Sequence, residues 1–319
     1  MAHRFENHIN SLADSIIKDY NGGKVIDEVK SFDLPDKAVV TDIIYKLRDL
    51  VYPGFFKTEF YNVYTMRNKV LMLIEDIIYK LRKQIKTAIH YIPEYMNAEE
   101  KTISEKAEEL TFAFLEKIPK IREYIETDVQ AAYEGDPAAF NRDEIIFSYP
   151  GLFAIFVNRI AHELYMLNIP LIPRMMTEYA HSITGIDIHP GATIGKYFFI
   201  DHGTGIVIGE TTVIGNYVKV YQGVTLGALS TRGGQLLKSK KRHPTIEDNV
   251  TIYSGASILG GDTVIGKNVV IGGNAFITKS VSDGAKVSVK NQELKVNYNN
   301  NKSLEKKELE QDEAWFYII

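Results

Sequence analysis

Aliphatic residues recur every six positions across residues 183–290, and glycine often follows them directly. A period of six fits neither the 3.6-residue turn of a helix nor the two-residue alternation of a flat strand. It is typical of a solenoid, in which a short strand turns a corner once per repeat. We therefore predict a parallel β-helix with three flat faces and three hexapeptides to a coil. The predicted inward residues are Ile188, Ile194, Ile200 and Ile206, then Ile208, Ile214, Val220 and Leu226, then Ile246, Ile252, Ile258 and Val264, and finally Ile265, Ile271 and Ile277.

Residues 228–243 interrupt this repeat with a polar and basic segment, ALSTRGGQLLKSKKRH. Such a segment cannot line an apolar prism, so we expect it to form a surface loop that is available for function. Eighteen of the 23 glycines lie in 183–290, as expected where tight corners need positive φ or close backbone approach. Both features favour a coiled β structure with one long excursion.

The region before the solenoid has the apolar spacing of helices and almost no glycine. Asn97 is the predicted N-cap of one helix, and Pro119 predicts a break or kink in the apolar stripe around it. The last helices are expected around 145–167 and 175–182. We interpret the stripes as ordinary helix packing faces. They comprise Phe5, Ile9, Leu12 and Ile16; Val40, Ile43, Leu47 and Leu50; Val70, Ile74, Ile77, Leu81, Ile85 and Ile89; and Leu110, Phe114, Ile118, Ile121 and Ile125.

The chain is accordingly predicted to be an α+β protein in three parts. A helical domain (1–182) serves oligomerisation and part of the substrate site, and a β-helix domain (183–290) carries catalysis. The remainder (291–319) is polar, Asn-rich and charged until its last residues, so we expect a flexible tail. That tail ends in the apolar sequence WFYII, which suggests a binding function.

Composition narrows the function classes. The 319 residues are 45% hydrophobic and 24% charged, with a net charge of −4, so electrostatics give no case for nucleic acid. No apolar run approaches the roughly 20 residues of a membrane span, and no signal-peptide pattern is seen. A cytoplasmic location is the expectation. The absence of cysteine excludes disulfides, thiolate metal sites and a cysteine nucleophile.

Five short motifs carry a family resemblance. They are DVQA at 128–131, GDPA at 135–138, DIHPGA at 187–192, IDHGTGIVIGET at 200–211 and RHP at 242–244. Together with the hexapeptides, they resemble the serine O-acetyltransferases of the hexapeptide-repeat acyltransferase superfamily. The resemblance implies a left-handed β-helix enzyme that transfers the acetyl group of acetyl-CoA to the hydroxyl of L-serine. The implied products are O-acetyl-L-serine and CoA, in the first step of cysteine biosynthesis.

Acetyl transfer to a serine hydroxyl requires a base, because a neutral alcohol is a poor nucleophile. Histidine suits the task, with an unperturbed pKa near 6.5, and the resemblance assigns it to His202. It also implies that Asp187 orients the ring and stabilises the imidazolium. Fifteen positions separate the two residues, so we expect adjacent coils to bring them together. With both substrates bound, direct attack needs no acyl-enzyme.

The resemblance further implies that Asp136 and Asp201 hold the ammonium group of serine. Arg242 offers a bidentate fork for the carboxylate, with His243 as a second polar contact. Structural alternatives stand beside these roles. Asp136 before a proline also has the pattern of a helix start, and Arg242 lies in what is otherwise a solvated basic loop. His189 is interpreted as a corner residue bonded to backbone.

No nucleotide-binding fingerprint is present, and the resemblance implies that acetyl-CoA lies in a groove beside the prism. By similarity, Gly227, Ser254 and Gly273 line the pantetheine arm, and the 228–243 loop folds over the groove. No metal cofactor is expected.

The same resemblance implies a homotrimer or a dimer of trimers, with active sites in grooves between subunits. L-cysteine shares the amino and carboxylate groups of serine and is the expected feedback inhibitor. Cysteine synthase, the O-acetylserine sulfhydrylase, is the expected partner of Ile319, whose free carboxylate enters a binding pocket. The alternative is that the terminal aromatic residues pack on their own chain.

Two other functions share the predicted solenoid. One is a hexapeptide acetyltransferase for a sugar or another small hydroxyl or amine acceptor. The other is a zinc hydratase of the γ-carbonic anhydrase type, or a non-catalytic scaffold. His189, His202 and His243 supply the number of histidines that such a zinc site needs, so metal content and acceptor choice distinguish the possibilities.

Overall fold

The computed structural model describes most of the chain: residues 2–27, 32–56 and 65–290. The chain divides into two compact units, Met1–Leu34 and Pro35–Ile319. The first unit contains helix α1 (Ala2–Tyr20) and a 3-10 turn at Val25–Asp27. α1 forms where the first apolar stripe predicts a helix.

The second unit contains the other described helices. They are α2 (Lys37–Val51), α3 (Met66–Ile89), α4 (Glu100–Leu115), α5 (Ile118–Gly135), α6 (Arg142–Ser148), α7 (Pro150–Met166) and α8 (Ile172–Thr184), with 3-10 turns at Pro93–Tyr95 and Gly234–Leu237. The break expected near Pro119 is confirmed, because α4 ends and α5 begins just before it. The predicted Asn97 cap is wrong. Ala98 N–H still bonds to the carbonyl of Tyr95 at 3.2 Å, so Asn97 belongs to the preceding turn and the helix begins later.

The single helix expected around 145–167 is also wrong, since it is two helices. Pro150 disfavours helical backbone in the preceding residue, and Tyr149 is extended with φ −82° and ψ 113°. α6 and α7 therefore meet at an angle of 73°. In the described part of the chain, no single helix is long and apolar enough to cross a membrane. The bent pair of α6 and α7 together would be, judged by length and composition alone.

The solenoid follows α8 and consists of short parallel strands. They are β1 (Asp187–Ile188), β2 (Thr193–Ile194), β3 (Phe199–Asp201), β4 (Val207–Ile208), β5 (Val213–Ile214), β6 (Lys219–Tyr221), β7 (Thr225–Gly227), β8 (Thr245–Ile246), β9 (Thr251–Ile252), β10 (Ser257–Leu259), β11 (Val264–Ile265), β12 (Val270–Ile271), β13 (Phe276–Ile277) and β14 (Lys286–Val287). Face 1 has the order β1-β4-β7-β10-β13, face 2 β11-β8-β5-β2 and face 3 β14-β12-β9-β6-β3. The predicted left-handed β-helix is confirmed.

The predicted inward residues form the core of the prism with one exception. Val264 is wrong, because Ile265 is the buried member of β11 and Val264 points outward. The corner after Leu259 takes one residue more than a strict hexapeptide allows. The 228–243 segment leaves the prism as predicted, since β7 ends at Gly227 and β8 resumes at Thr245.

Two edges of the prism matter for the site. The chain passes from face 3 to face 1 at what we call the 3–1 edge, formed by residues 202–206, 222–224, 253–256 and 272–275. It passes from face 1 to face 2 at the 1–2 edge, formed by residues 189–192, 209–212, 228–244 and 260–263. The long loop belongs to the 1–2 edge.

The helices and the prism share residues at their junction. Ile155 of α7 lies in the core inside the prism, whereas Phe199 of β3 lies in the helical core. A buried ion pair reinforces the junction: Arg159 Nη2 donates to Asp128 Oδ1 at 3.0 Å and to the carbonyl of Gly195 at 2.6 Å. The DVQA motif is therefore structural, because its aspartate ties α5 and α7 to the first coil.

Candidate active site

A cluster of charged side chains surrounds the start of the 3–1 edge, and we call it the carboxylate cluster: Asp136, Tyr149, Asp201, His202 and Lys219. Asp201 is the last residue of β3. His202 follows it with φ +58°, a left-handed conformation that costs energy outside glycine and is often found at functional sites. The His202 side chain is 55% exposed, and its Nε2 lies 3.8 Å from Asp201 Oδ1. Burial raises the pKa of Asp201, while His202 and Lys219 oppose the rise.

Asp136 enters this cluster from the helical region. It is the C-cap of α5, so the helix-start interpretation is wrong; α6 begins later, with Asn141 as its cap. The Asp136 carboxylate accepts hydrogen bonds from the Tyr149 hydroxyl at 2.5 Å and from the Ala138 N–H at 2.8 Å. These bonds, that of Tyr149 above all, lower the pKa of Asp136. A fixed, ionised carboxylate thus faces the edge.

Lys219 is a member of the cluster that sequence reasoning missed. It lies on β6 beside Phe199 of β3, and its ammonium group donates to the carbonyl of Gly135 at 2.6 Å. The ammonium also lies 5.0 Å from the ring centroids of Phe199 and Tyr221. Burial lowers the pKa of Lys219, against the attraction of Asp201 and Asp136. The only signal in the sequence was a lysine at an outward hexapeptide position, which is normally a solvated residue.

A second cluster lies on the 1–2 edge, and we call it the arginine–histidine cluster: Glu210, Thr211, Arg242 and His243. The Nδ1 of His243 accepts the Thr211 N–H at 3.0 Å, so the proton of the neutral ring is on Nε2. Burial, aided by the charge of Arg242, lowers the pKa of His243 to about 4. The ring is therefore a neutral, oriented hydrogen-bond donor at physiological pH.

Arg242 is held by this network rather than solvated. Its guanidinium pairs with the carboxylate of Glu210, which also accepts the Tyr165 hydroxyl at 2.9 Å. Burial alone would raise the pKa of Glu210, but the hydrogen bonds from Arg242 and Tyr165 outweigh it and the pKa is lowered. Lys241 is anchored too, on the Thr211 carbonyl at 2.6 Å. The basic-loop interpretation of Arg242 is therefore wrong.

Asp187 lies on face 1, apart from both clusters. It is paired with Arg174 at 3.8 Å, and among the described residues His202 makes its ion pair with Asp201 instead. The adjacent coil places Val207, not His202, opposite Asp187. The structure does not bring the predicted catalytic pair within ion-pair distance, and the orienting role of Asp187 stays a prediction.

The residues predicted for the acetyl donor divide between the edges. Ser254 and Gly273 lie on the 3–1 edge in successive coils, whereas Gly227 ends β7 at the 1–2 edge. The 3–1 edge also carries a column of glycines with positive φ, Gly205, Gly223 and Gly255, in consecutive coils. A methyl group on Gly205 would lie 3.6 Å from Gly223, and one on Gly223 would lie 3.4 Å from Gly255. This column, the glycine strip, exposes backbone without side chains.

Within the described part of a single chain, His189, His202 and His243 do not form a group of close metal ligands. Within the described ranges, the one group of three potential metal ligands with mutually close atoms is Glu178, His181 and Asp187. His189 instead accepts the Gly191 N–H through Nδ1 at 3.0 Å, which confirms its interpretation as a corner residue.

A three-faced β-helix with an exposed histidine among carboxylates, next to a column of glycines, is typical of a hexapeptide-repeat acyltransferase. No family model matches the chain. The plasmid serine acetyltransferase of Synechococcus elongatus is 44% identical over 230 residues, which cover 70% of this chain and 72% of that protein.

Solved structures agree with this similarity. Serine acetyltransferase isoform 3 of Entamoeba histolytica, in complex with cysteine, has a TM-score of 0.70 at 36% identity, covering 89% of this chain and 93% of that one. Serine acetyltransferase 1 of the same organism, in complex with L-cysteine, has a TM-score of 0.68 at 35% identity. That match covers 90% of this chain and 100% of the other. The chain belongs to the serine acetyltransferase family, as its motifs predicted.

Proposed function

We propose that this acyltransferase acetylates L-serine by direct transfer from acetyl-CoA, with His202 as the general base. The observation that carries the proposal is the exposed imidazole of His202, held in a strained backbone beside Asp201 at the head of the glycine strip. The imidazole removes the proton of the serine hydroxyl as its oxygen attacks the thioester carbonyl. The C–S bond then breaks, and the sulfur of CoA receives the proton from the imidazolium.

The serine subsite combines the two clusters. Asp136 and Asp201 receive the substrate ammonium, and Lys219 neutralises one of these two charges, so that one negative charge remains for one ammonium group. Arg242 and the Nε2–H of His243 receive the substrate carboxylate. L-cysteine has the same two groups, so we propose that it competes with serine here. For Asp187 to orient His202, its pair with Arg174 must open.

The clusters lie on different edges of one prism, which supports a site shared between subunits. A homotrimer brings the 3–1 edge of one prism to the 1–2 edge of the next, as cyclic symmetry permits. The helical domain then joins two trimers where a hexamer forms. Neither edge alone provides partners for both ends of serine, so we propose that the isolated subunit is inactive.

Acetyl-CoA, in this proposal, binds in the groove between the 3–1 edge of one subunit and the 1–2 edge of the next. The glycine strip begins near His202 and ends at Gly255 beside Ser254, with Gly273 in the next coil, which suits a pantetheine arm whose amides approach backbone closely. Gly227 and the 228–243 loop, on the 1–2 edge, then belong to the neighbouring subunit's wall of that groove. The loop therefore covers a donor bound mainly by another copy of the chain.

Mixed trimers test the shared site. His202→Ala and Arg242→Ala subunits are co-expressed in equal amounts, and the whole pool of trimers is purified, homotrimers included. Each variant alone has little activity, but random mixing restores about one quarter of the sites, because a site needs one intact residue from each of two neighbours. Thiol release from acetyl-CoA with L-serine measures the recovery.

The matched control mixes wild-type subunits with the His202→Ala/Arg242→Ala double variant. About one quarter of the sites stay active if sites are shared, but about half if each lies within one subunit. No recovery in the first mixture, with half activity in the second, would refute the shared site. A monomer in light scattering would also refute it.

The predicted tail contact with cysteine synthase falls on residues outside the described ranges and stays a proposal. Removing Ile319 deletes the side chain and moves the terminal carboxylate, so complex formation with the cognate synthase should collapse. Acetyltransferase activity and thermal stability should stay nearly unchanged. Loss of stability on truncation, or undiminished binding, would show that the terminus packs on its own chain.

A further inference from the structure

A cavity of about 260 Å³ lies behind the carboxylate cluster, between α2, α6, α7 and the end of α8. Its walls are largely aromatic and include Tyr45, Tyr52, Phe56, Tyr149 and Phe153. None of the candidate catalytic or substrate-binding residues lines it. The volume is somewhat below the roughly 300–1,000 Å³ of typical ligand pockets, so it suits a small molecule.

Two polar groups of residues in this cavity wall have no hydrogen-bond partner among the residues that the structure describes. The Tyr52 side chain is 8% exposed, and its hydroxyl is buried and unpartnered. Arg48 Nε is also buried and unpartnered. A buried polar group without a partner is destabilising, so two of them at one cavity point to an acceptor that binds there.

The remaining features of Arg48 favour a planar anion. Its guanidinium lies 3.8 Å from the ring centroid of Phe56 and 4.8 Å from that of Tyr45. Among the described residues, its ion pair is with Asp49 Oδ1 and is long at 3.6 Å. The cavity therefore offers aromatic faces together with one cation and a hydroxyl donor. Burial raises the pKa of Tyr52, which keeps that hydroxyl protonated.

We propose that this cavity is a second ligand site, for a small aromatic monocarboxylate. The ring lies among the aromatic side chains, and the carboxylate accepts hydrogen bonds from the Tyr52 hydroxyl and Arg48 Nε. An amine-bearing ligand is disfavoured beside the guanidinium, and a neutral ligand offers a weaker acceptor to the two donors.

This second site is linked to the serine subsite through Tyr149. The Tyr149 side chain lines the cavity, and its hydroxyl donates to Asp136 at 2.5 Å. A ligand that moves the ring weakens that hydrogen bond and changes the affinity for serine. This linkage rests on the proposed function, whereas binding in the cavity does not.

Isothermal calorimetry of the full-length enzyme with benzoate tests the binding. We expect saturable binding with one site per chain, and no binding of benzylamine or benzyl alcohol at the same concentrations. Tyr52→Phe removes only the unpartnered hydroxyl, so the thermal midpoint without ligand should be unchanged or higher. Benzoate binding should weaken about tenfold, as expected for loss of a hydrogen bond to a charged group. Arg48→Met should weaken it at least as much.

Absence of benzoate binding to the wild type would overturn the proposal. So would equal binding by wild type, Tyr52→Phe and Arg48→Met, because the two donors would then have no role. The linkage is read separately: benzoate should change the KM for serine in the wild type but not in Tyr149→Phe. If the enzyme does not acetylate serine at all, the proposed function fails while calorimetry still decides the site.

Discussion

The two edges of the prism present histidines in opposite states. His202, on the 3–1 edge, is 55% exposed, and its nearest charged partner is 3.8 Å away. His243, on the 1–2 edge, is 8% exposed, and its Nδ1 is occupied by the Thr211 N–H at 3.0 Å. Its pKa is lowered to about 4, whereas an ordinary histidine titrates near 6.5.

This difference assigns different chemistry to the two rings. A general base must accept and release a proton near neutral pH, which requires a ring that water and substrate can reach. A substrate-binding donor must instead keep the same proton in the same place. In the proposed mechanism, the buried network around His243 supplies that fixed donor, and the exposed ring of His202 supplies the base.

The largest expected effect separates these two histidines. His202→Ala should lower kcat by about 10²–10⁴, the usual contribution of general base catalysis, with the fold and acetyl-CoA binding retained. His243→Ala should instead act mainly on the KM for serine, because it removes a carboxylate contact. Steady-state kinetics with both substrates varied distinguishes the patterns, and His8→Ala in α1 is the matched histidine control. A similar fall in kcat for both variants would remove the distinction.

A glycine at the 1–2 edge offers a sharper test of the fixed donor. A methyl group at Gly209 would lie 2.1 Å from Cδ2 of His243, so Gly209→Ala must displace the ring from its Thr211 bonds. We expect kcat/KM for serine to fall about tenfold to a hundredfold, chiefly through KM. The Gly209→Ala/His243→Ala double variant should be no worse than His243→Ala, because both changes remove one contact.

Gly215→Ala is the control for general damage to the prism. Its methyl group would lie 2.5 Å from Asp248 Oδ1, a clash of similar severity between faces 2 and 3. This variant should lose thermal stability without changing the KM for serine. Additive losses in the Gly209→Ala/His243→Ala double variant would contradict the displacement mechanism.

The sequence predicted the prism well because its core is local and periodic. Each inward aliphatic is specified by its own hexapeptide, so one pattern determines strands, faces and register together. The errors arose where a corner changed length, as before Val264, or where a local sequence pattern had a different role in the folded chain. Asp136 has the local pattern of a helix start, yet a tertiary hydrogen bond from Tyr149 makes it part of the site.

The candidate site was less predictable, because its residues are brought together by tertiary contacts rather than by the local repeat. Motifs drew attention to His202 and Arg242, but spacing along the chain did not show that they lie on different edges. Lys219 had no motif at all, because its role depends on the carboxylates that α5 and β3 bring beside it. Periodicity determines a coil, whereas contacts between edges and helices require the folded chain.

The smallest expected effect concerns Lys219 and asks whether the carboxylate cluster is electrostatically balanced. Lys219→Met keeps the length of the side chain but removes a positive charge that favours the ionised forms of Asp136 and Asp201. Both carboxyls should then protonate at higher pH, so the acidic limb of the kcat/KM profile for serine should move to higher pH. Lys219→Arg should restore the wild-type limb. An unshifted profile in Lys219→Met, with only a lower thermal midpoint, would mean that Lys219 merely anchors the carbonyl of Gly135.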